Sequence, residues 1–141
     1  MNGGDLQIRL ELPGAPTSAR SARRLVVDAL RGWGLEHLEE SAVLLVSELV
    51  TNSVLHARTA LAVEVERTAQ VVRVVVRDGS RRRPRQRRHD VTAATGRGLG
   101  LLNAVAWRWG CDDAPPPYAK AVWFELPVDR VLLPQPRAFD G

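Results

Sequence analysis

Leu6, Ile8, Leu10 and Leu12 alternate with Gln7, Arg9 and Glu11, the period of two expected of a half-buried strand. Pro13-Gly14 ends that pattern. Helical spacing replaces it: Ala22, Leu25, Val26, Ala29 and Leu30 fall on one face, Thr17 or Ser18 offers a capping oxygen, and Gly32 and Gly34 supply a stop after Trp33. A second helix is predicted from near Glu36 to about Ala57, with Glu36, Glu39 and Glu40 in its first turns, where carboxylates complement the helix dipole. Leu61, Val63 and Val65, then Val72, Val74 and Val76, form two alternating sets around Ala69-Gln70, which reads as an antiparallel hairpin.

Periodicity stops after Asp78. Residues 79–95 make an irregular stretch of about 17 residues, longer than an ordinary connection, and so a functional loop is expected there. A helix should follow, with Leu99, Leu102, Val105 and Ala106 toward the core and Trp109-Gly110 closing it. A short strand near Cys111, a rigid turn through Ala114, Pro115, Pro116 and Pro117, and a last strand from Lys120 to Leu126 complete the pattern. No repeat or linker divides it, so residues 1–127 read as one domain and 128–141 as a frayed or loosely docked tail.

Composition agrees with one ordinary domain: 141 residues and 45% hydrophobic content allow a real core and exclude disorder of the whole chain. No run approaches the roughly 18 apolar residues of a membrane span, and the N-terminus lacks a signal-peptide pattern, so a cytoplasmic protein without membrane contact is expected. Cys111 is the single cysteine and reads as a structural thiol, with no zinc-ligand spacing around it. The formal charge of +4 is local: without Arg81, Arg82, Arg83, Arg85, Arg87 and Arg88 it turns negative.

Candidate chemistry gathers in three places. On the second helix, Glu48, Asn52 and His56 are spaced i, i+4, i+8 along one side of an otherwise apolar stretch. Asn52 offers a neutral oxygen to Mg²⁺, and Glu48, one turn earlier, is placed to orient or deprotonate a hydroxyl. His56 reads as a dipole partner at the helix end. Asp78, at a strand end, is a candidate acceptor for an exocyclic amine such as that of adenine. Gly96, Arg97, Gly98, Leu99 and Gly100 lead into a helix, where backbone N–H groups can approach phosphate oxygens. Each signal has a bland counterpart: a solvated helix face, a turn-forming aspartate, a tight glycine turn. The tryptophans read as packing residues and Lys120 as a surface lysine.

In this order the three segments resemble the GHKL ATP-binding superfamily, and most of all the small bacterial anti-sigma-factor serine/threonine kinases. Glu48-Leu49-Val50-Thr51-Asn52-Ser53 resembles the N box, Asp78 the first glycine-box aspartate, Gly96-Arg97-Gly98-Leu99 the second glycine box, and Val122-Trp123-Phe124-Glu125 a common closing strand. The first glycine box departs from the D-x-G-x-G pattern, reading Asp78-Gly79-Ser80-Arg81-Arg82, and Ala119 precedes Lys120 where many relatives carry glycine.

The resemblance implies an α+β fold, a two-layer Bergerat sandwich whose mixed, mostly antiparallel sheet is covered on one face by helices. It implies ATP and Mg²⁺ as cofactors, Glu48 as catalytic base, Asn52 as Mg²⁺ ligand, and nucleotide contacts from Asn52, Asp78, Ser80, Gly96, Arg97, Gly98, Leu99 and Gly100. It further implies phosphorylation of an anti-sigma antagonist on Ser or Thr in a partner-switching circuit with a sigma factor, and a possible homodimer. The alternatives are an ATP-binding regulatory module without kinase activity and an interaction protein using its arginine-rich lid. Direct nucleic-acid binding is disfavoured, because no aromatic residue or recognition module accompanies the arginines.

Overall fold

The computed structural model describes residues 6–81 and 94–129, with the side chains of 94–99 outside the description. Five strands and three helices follow one another as β1 (Gln7–Leu12), α1 (Ser18–Gly32), α2 (Glu39–His56), β2 (Leu61–Arg67), β3 (Val71–Asp78), α3 (Ala94–Val105), β4 (Arg108–Asp113) and β5 (Lys120–Pro127). The strands form one sheet in the order β1-β2-β3-β5-β4, and every pairing among the described residues is antiparallel where a mixed sheet was expected. The architecture is α+β: α1 packs on α2, α2 on α3, and α1 and α2 touch the sheet.

Alternation decides which side of each strand meets the helices. Leu61, Val63 and Val65 pair with Asp78, Val76 and Val74, and Val76, Val74 and Val72 pair in turn with Val122, Phe124 and Leu126. These apolar side chains join Ala22, Val26 and Leu30 of α1 and Leu45, Val46, Leu49 and Val50 of α2 in one core. The other side of β2 is less open than a half-buried strand predicts. Ala62 and Glu64 are buried as well, and the Glu64 carboxylate is held by Arg77 at 2.7 Å.

Helix ends account for two differences from the predicted boundaries. After α1, Gly34 takes the left-handed conformation at φ 73°. Leu35 N–H then bonds Leu30 O at 2.8 Å and Gly34 N–H bonds Arg31 O at 3.1 Å, a Schellman closure. The chain next makes a 3₁₀ turn, Glu36–Leu38, so α2 begins at Glu39 rather than as one continuous helix from Glu36. Among the glycines read as a helix entry, Gly96, Gly98 and Gly100 lie inside α3. Leu102, buried to 1%, anchors that helix in the core, which outweighs the roughly 1 kcal/mol that each interior glycine costs.

Trp109-Gly110 does not close a helix. Both residues lie in β4, opposite Phe124 and Trp123 of β5. A Cβ on Gly110 would sit 2.7 Å from Trp123 Cζ2, so the glycine leaves room for a neighbouring indole rather than stopping a helix. Gly110→Ala is therefore expected to destabilise the fold by about 1–3 kcal/mol through overpacking, and less in a Trp123→Leu background. Urea unfolding of the single and double variants would show it.

The tryptophans serve packing. Trp33 and Trp109 pack against the core, and Trp109 Nε1 also donates to Asn103 Oδ1 at 2.9 Å. The Arg73 guanidinium lies 4.3 Å from the Trp123 ring centre. Cys111 is half-buried, forms no disulfide and packs against the core. At the start of the tail, Val128 N–H donates to Gln70 O at 2.8 Å, and Val128 O lies 2.9 Å from His37 Nε2. Arg82, Arg83, Arg85, Arg87 and Arg88, and the tail from 130 onward, fall outside the described residues. No helix among the described residues is long and apolar enough to cross a membrane.

Candidate functional site

The site begins on α2. Its inward stripe runs through Ala42, Leu45, Val46, Leu49, Val50 and Ser53, and Glu48 and Asn52 flank that stripe as half-buried positions. One helical turn separates them, a rise of about 6 Å, so a carboxylate and a carboxamide line the same edge. No hydrogen bond among the described residues ties up the Glu48 carboxylate. Asn52 is in the opposite condition to an ordinary surface asparagine: its Oδ1 is buried and accepts no hydrogen bond among the described residues. Such an orphan acceptor costs about 1–3 kcal/mol unless something supplies a partner. His56, the last residue of α2, is exposed and in the position where a histidine favours the helix dipole.

Asp78 closes β3, and the register sets Lys120, the first residue of β5, directly opposite it. Both side chains therefore leave the sheet on the helix side, in line with Val76 and Val122. Asp78 is 1% exposed and Lys120 9%. Lys120 Nζ donates to Asp78 Oδ1 at 3.0 Å and lies 3.3 Å from Oδ2. Ser53 Oγ donates to Oδ2 at 2.5 Å, and Ser80 N–H donates to Oδ1 at 3.0 Å. Lys120 is thus not a surface lysine. It is the buried counter-ion of the residue expected to read the base.

Ser53 ties this cluster to the helix. It follows Asn52 directly, and its bond to Asp78 fixes the C-terminal end of the site on α2 against the end of β3. Gly79 N–H bonds Thr59 Oγ1 at 3.0 Å, which holds the displaced glycine of the Asp78-Gly79-Ser80 turn against the segment before β2. Ser80 contributes its backbone amide to Asp78.

The glycine segment sits differently from a loop before a helix. Gly96 stands in the first turn of α3, where backbone N–H groups have no partner inside the helix. From Arg97 through Gly98, Leu99 and Gly100 the helical ladder supplies carbonyl acceptors. The side chains of Arg97 and Leu99 fall outside the description. Helix α3 packs on α2, the helix that carries Glu48 and Asn52.

Two residues of the cluster were not singled out from the sequence. Ser53 carried a usable signal, because it continues the buried stripe of α2 and a buried hydroxyl needs a partner. Lys120 carried another: it shares its parity with Val122, Phe124 and Leu126, the inward residues of its strand.

A sheet covered by helices on one side, with a carboxylate and carboxamide on α2 and a buried aspartate at the end of β3, defines a nucleotide-binding class of domain. The chain belongs to the histidine kinase-like ATPase domain family, whose model matches residues 12–115. It is accordingly an ATP-binding domain of the GHKL type. A comparison with curated proteins finds no match.

The residues present fit the Mg²⁺ that accompanies ATP in this class. A buried, unpartnered amide oxygen is the neutral hard ligand that such an ion takes beside water and substrate phosphates. Asn52 is the residue that would hold it.

Proposed function

We propose that this domain is an ATP-dependent protein serine/threonine kinase of the partner-switching kind. It would phosphorylate an anti-sigma antagonist on Ser or Thr and, in its other state, hold a sigma factor. The observation that carries this reading is the α2 edge, where Glu48 stands one turn before the unpartnered Asn52 oxygen. Phosphoryl transfer asks for little covalent chemistry from the protein and much positioning. Glu48 has its carboxylate uncommitted and is placed to accept the hydroxyl proton of an incoming serine. Asn52 orients the phosphate end, where bound Mg²⁺ would neutralise charge on the phosphate oxygens. Asp78 stands at the base end, fixed by Ser53 and Lys120.

The test is transfer of radiolabelled phosphate from ATP to proteins that co-purify with the chain, followed by phosphosite mapping. The expected result is a labelled serine or threonine in a small partner, with a sigma factor among the captured proteins. ATP binding without transfer to any partner would replace this reading with that of a regulatory module switched by nucleotide.

A further inference from the structure

The Asp78 cluster has its hydrogen bonds completed from within the protein. An ionised carboxylate offers about four lone-pair sites. Here Oδ1 receives Lys120 Nζ and the Ser80 N–H, and Oδ2 receives Ser53 Oγ with Lys120 Nζ at 3.3 Å. Lys120 has three N–H donors, and among the described residues it is bonded to nothing but Asp78. Of the pair, the lysine keeps more surface: its side chain is 11% exposed against 2% for the aspartate. An arriving base meets an ammonium with a donor in reserve, backed by a satisfied carboxylate.

This changes what the site can reject. A buried group built for one hydrogen-bonding partner discriminates against an analogue lacking that partner by up to about 10⁴–10⁵-fold, because the mismatch leaves the group unpaired. A bare carboxylate would discriminate in this way between the 6-amino group of adenine and the 6-oxo group of hypoxanthine. Asp78 is not left unpaired by either, since Lys120, Ser53 and Ser80 already satisfy it. The spare Lys120 donor finds an acceptor on either base, N1 of adenine or O6 of a 6-oxopurine. Adenine offers a 6-amino donor beside the N1 acceptor, and a 6-oxopurine offers the reverse.

We propose that Lys120 is a specificity-determining residue of the nucleotide site, and that its pairing with Asp78 widens the site from adenine to 6-oxopurine nucleotides. The inference rests on reading Asp78 as the base-facing carboxylate of an ATP site. ITP is the discriminating probe, because it differs from ATP only at the purine 6-position and the N1 proton that accompanies it.

Isothermal titration of the full chain with ATP, ITP and CTP, each with Mg²⁺, tests it. Wild type is expected to bind ATP and ITP within about tenfold of each other and CTP more weakly. Lys120→Thr removes the ammonium, which opens lone pairs on Asp78 that accept a 6-amino group and oppose a 6-oxo group, and should raise the ATP-over-ITP ratio at least about tenfold. Lys120→Arg should leave it near the wild-type value. If Lys120→Thr does not fold by circular dichroism, Ser53→Ala removes the shorter of the two bonds to Oδ2, leaves Lys120 in place and should raise the ratio in the same direction. A wild type that already prefers ATP over ITP by about 100-fold or more overturns the proposal. So does a ratio unmoved in the folded variant, or CTP binding as tightly as ATP. Absence of binding by all three nucleotides overturns the ATP-site reading itself, and the proposal with it.

Discussion

Replacing Glu48 by glutamine is expected to lower phosphoryl transfer about 10²–10⁴-fold, the usual contribution of a positioned general base, while ATP affinity changes little. The substitution keeps the size of the side chain and removes only its ability to take a proton. Glu48 is half-buried on the edge of α2 and makes no described hydrogen bond that the fold would miss, so stability should stay near wild type. Single-turnover transfer to the partner protein, set beside an ATP titration, separates the two effects. Equal loss of binding and transfer would assign Glu48 to nucleotide affinity, and native transfer would remove it from the chemistry.

Lys120→Met should have the largest effect on stability of any single change at the site, about 3–5 kcal/mol. Methionine fills the same space, so the loss is electrostatic. Asp78 is 1% exposed and would be left with only Ser53 and the Ser80 amide as donors. Breaking a buried pair from one side costs far more than removing both charges, so Lys120→Met with Asp78→Asn is expected to regain most of the loss. Urea unfolding of the two single variants and the double variant gives the coupling directly. Additive losses would show that the pair does not act as a unit.

The antiparallel hairpin β2–β3, the last strand and the extent of α1 were legible because apolar positions with periods of two and 3.6 are local signals. The features that escaped depend on partners far away in sequence. Gly110 looked like a helix stop because a glycine just past a helical pattern ordinarily is one. Its reason lies in the indole of Trp123, on a neighbouring strand. Lys120 looked like a solvated lysine because its counter-ion is Asp78, 42 residues away. Only the register of β3 with β5 brings the two together. The glycines at 96–100 read as the lead into a helix, and the helix already runs through them from Ala94.

At the site itself, spacing put Glu48, Asn52 and His56 forward alike as candidates, since residues four apart on a helix share a side. It treated Asp78 as an open acceptor, and the structure shows its carboxylate already engaged by Ser53, Ser80 and Lys120. His56, exposed at the end of α2, takes the supporting position that its place in the sequence suggested. Local pattern therefore gave the helix on which the candidate residues stand, and tertiary pairing gave the partners that hold Asp78.

The central claim is that the α2 edge holds the phosphate end of ATP through a divalent ion on Asn52. Titration of ATP with and without Mg²⁺, on wild type and Asn52→Ala, tests it most directly. The account predicts that Mg²⁺ tightens ATP binding to wild type at least about tenfold and leaves binding to Asn52→Ala nearly unchanged. The same Mg²⁺ dependence in both proteins, or no ATP binding by the folded wild type, would contradict it.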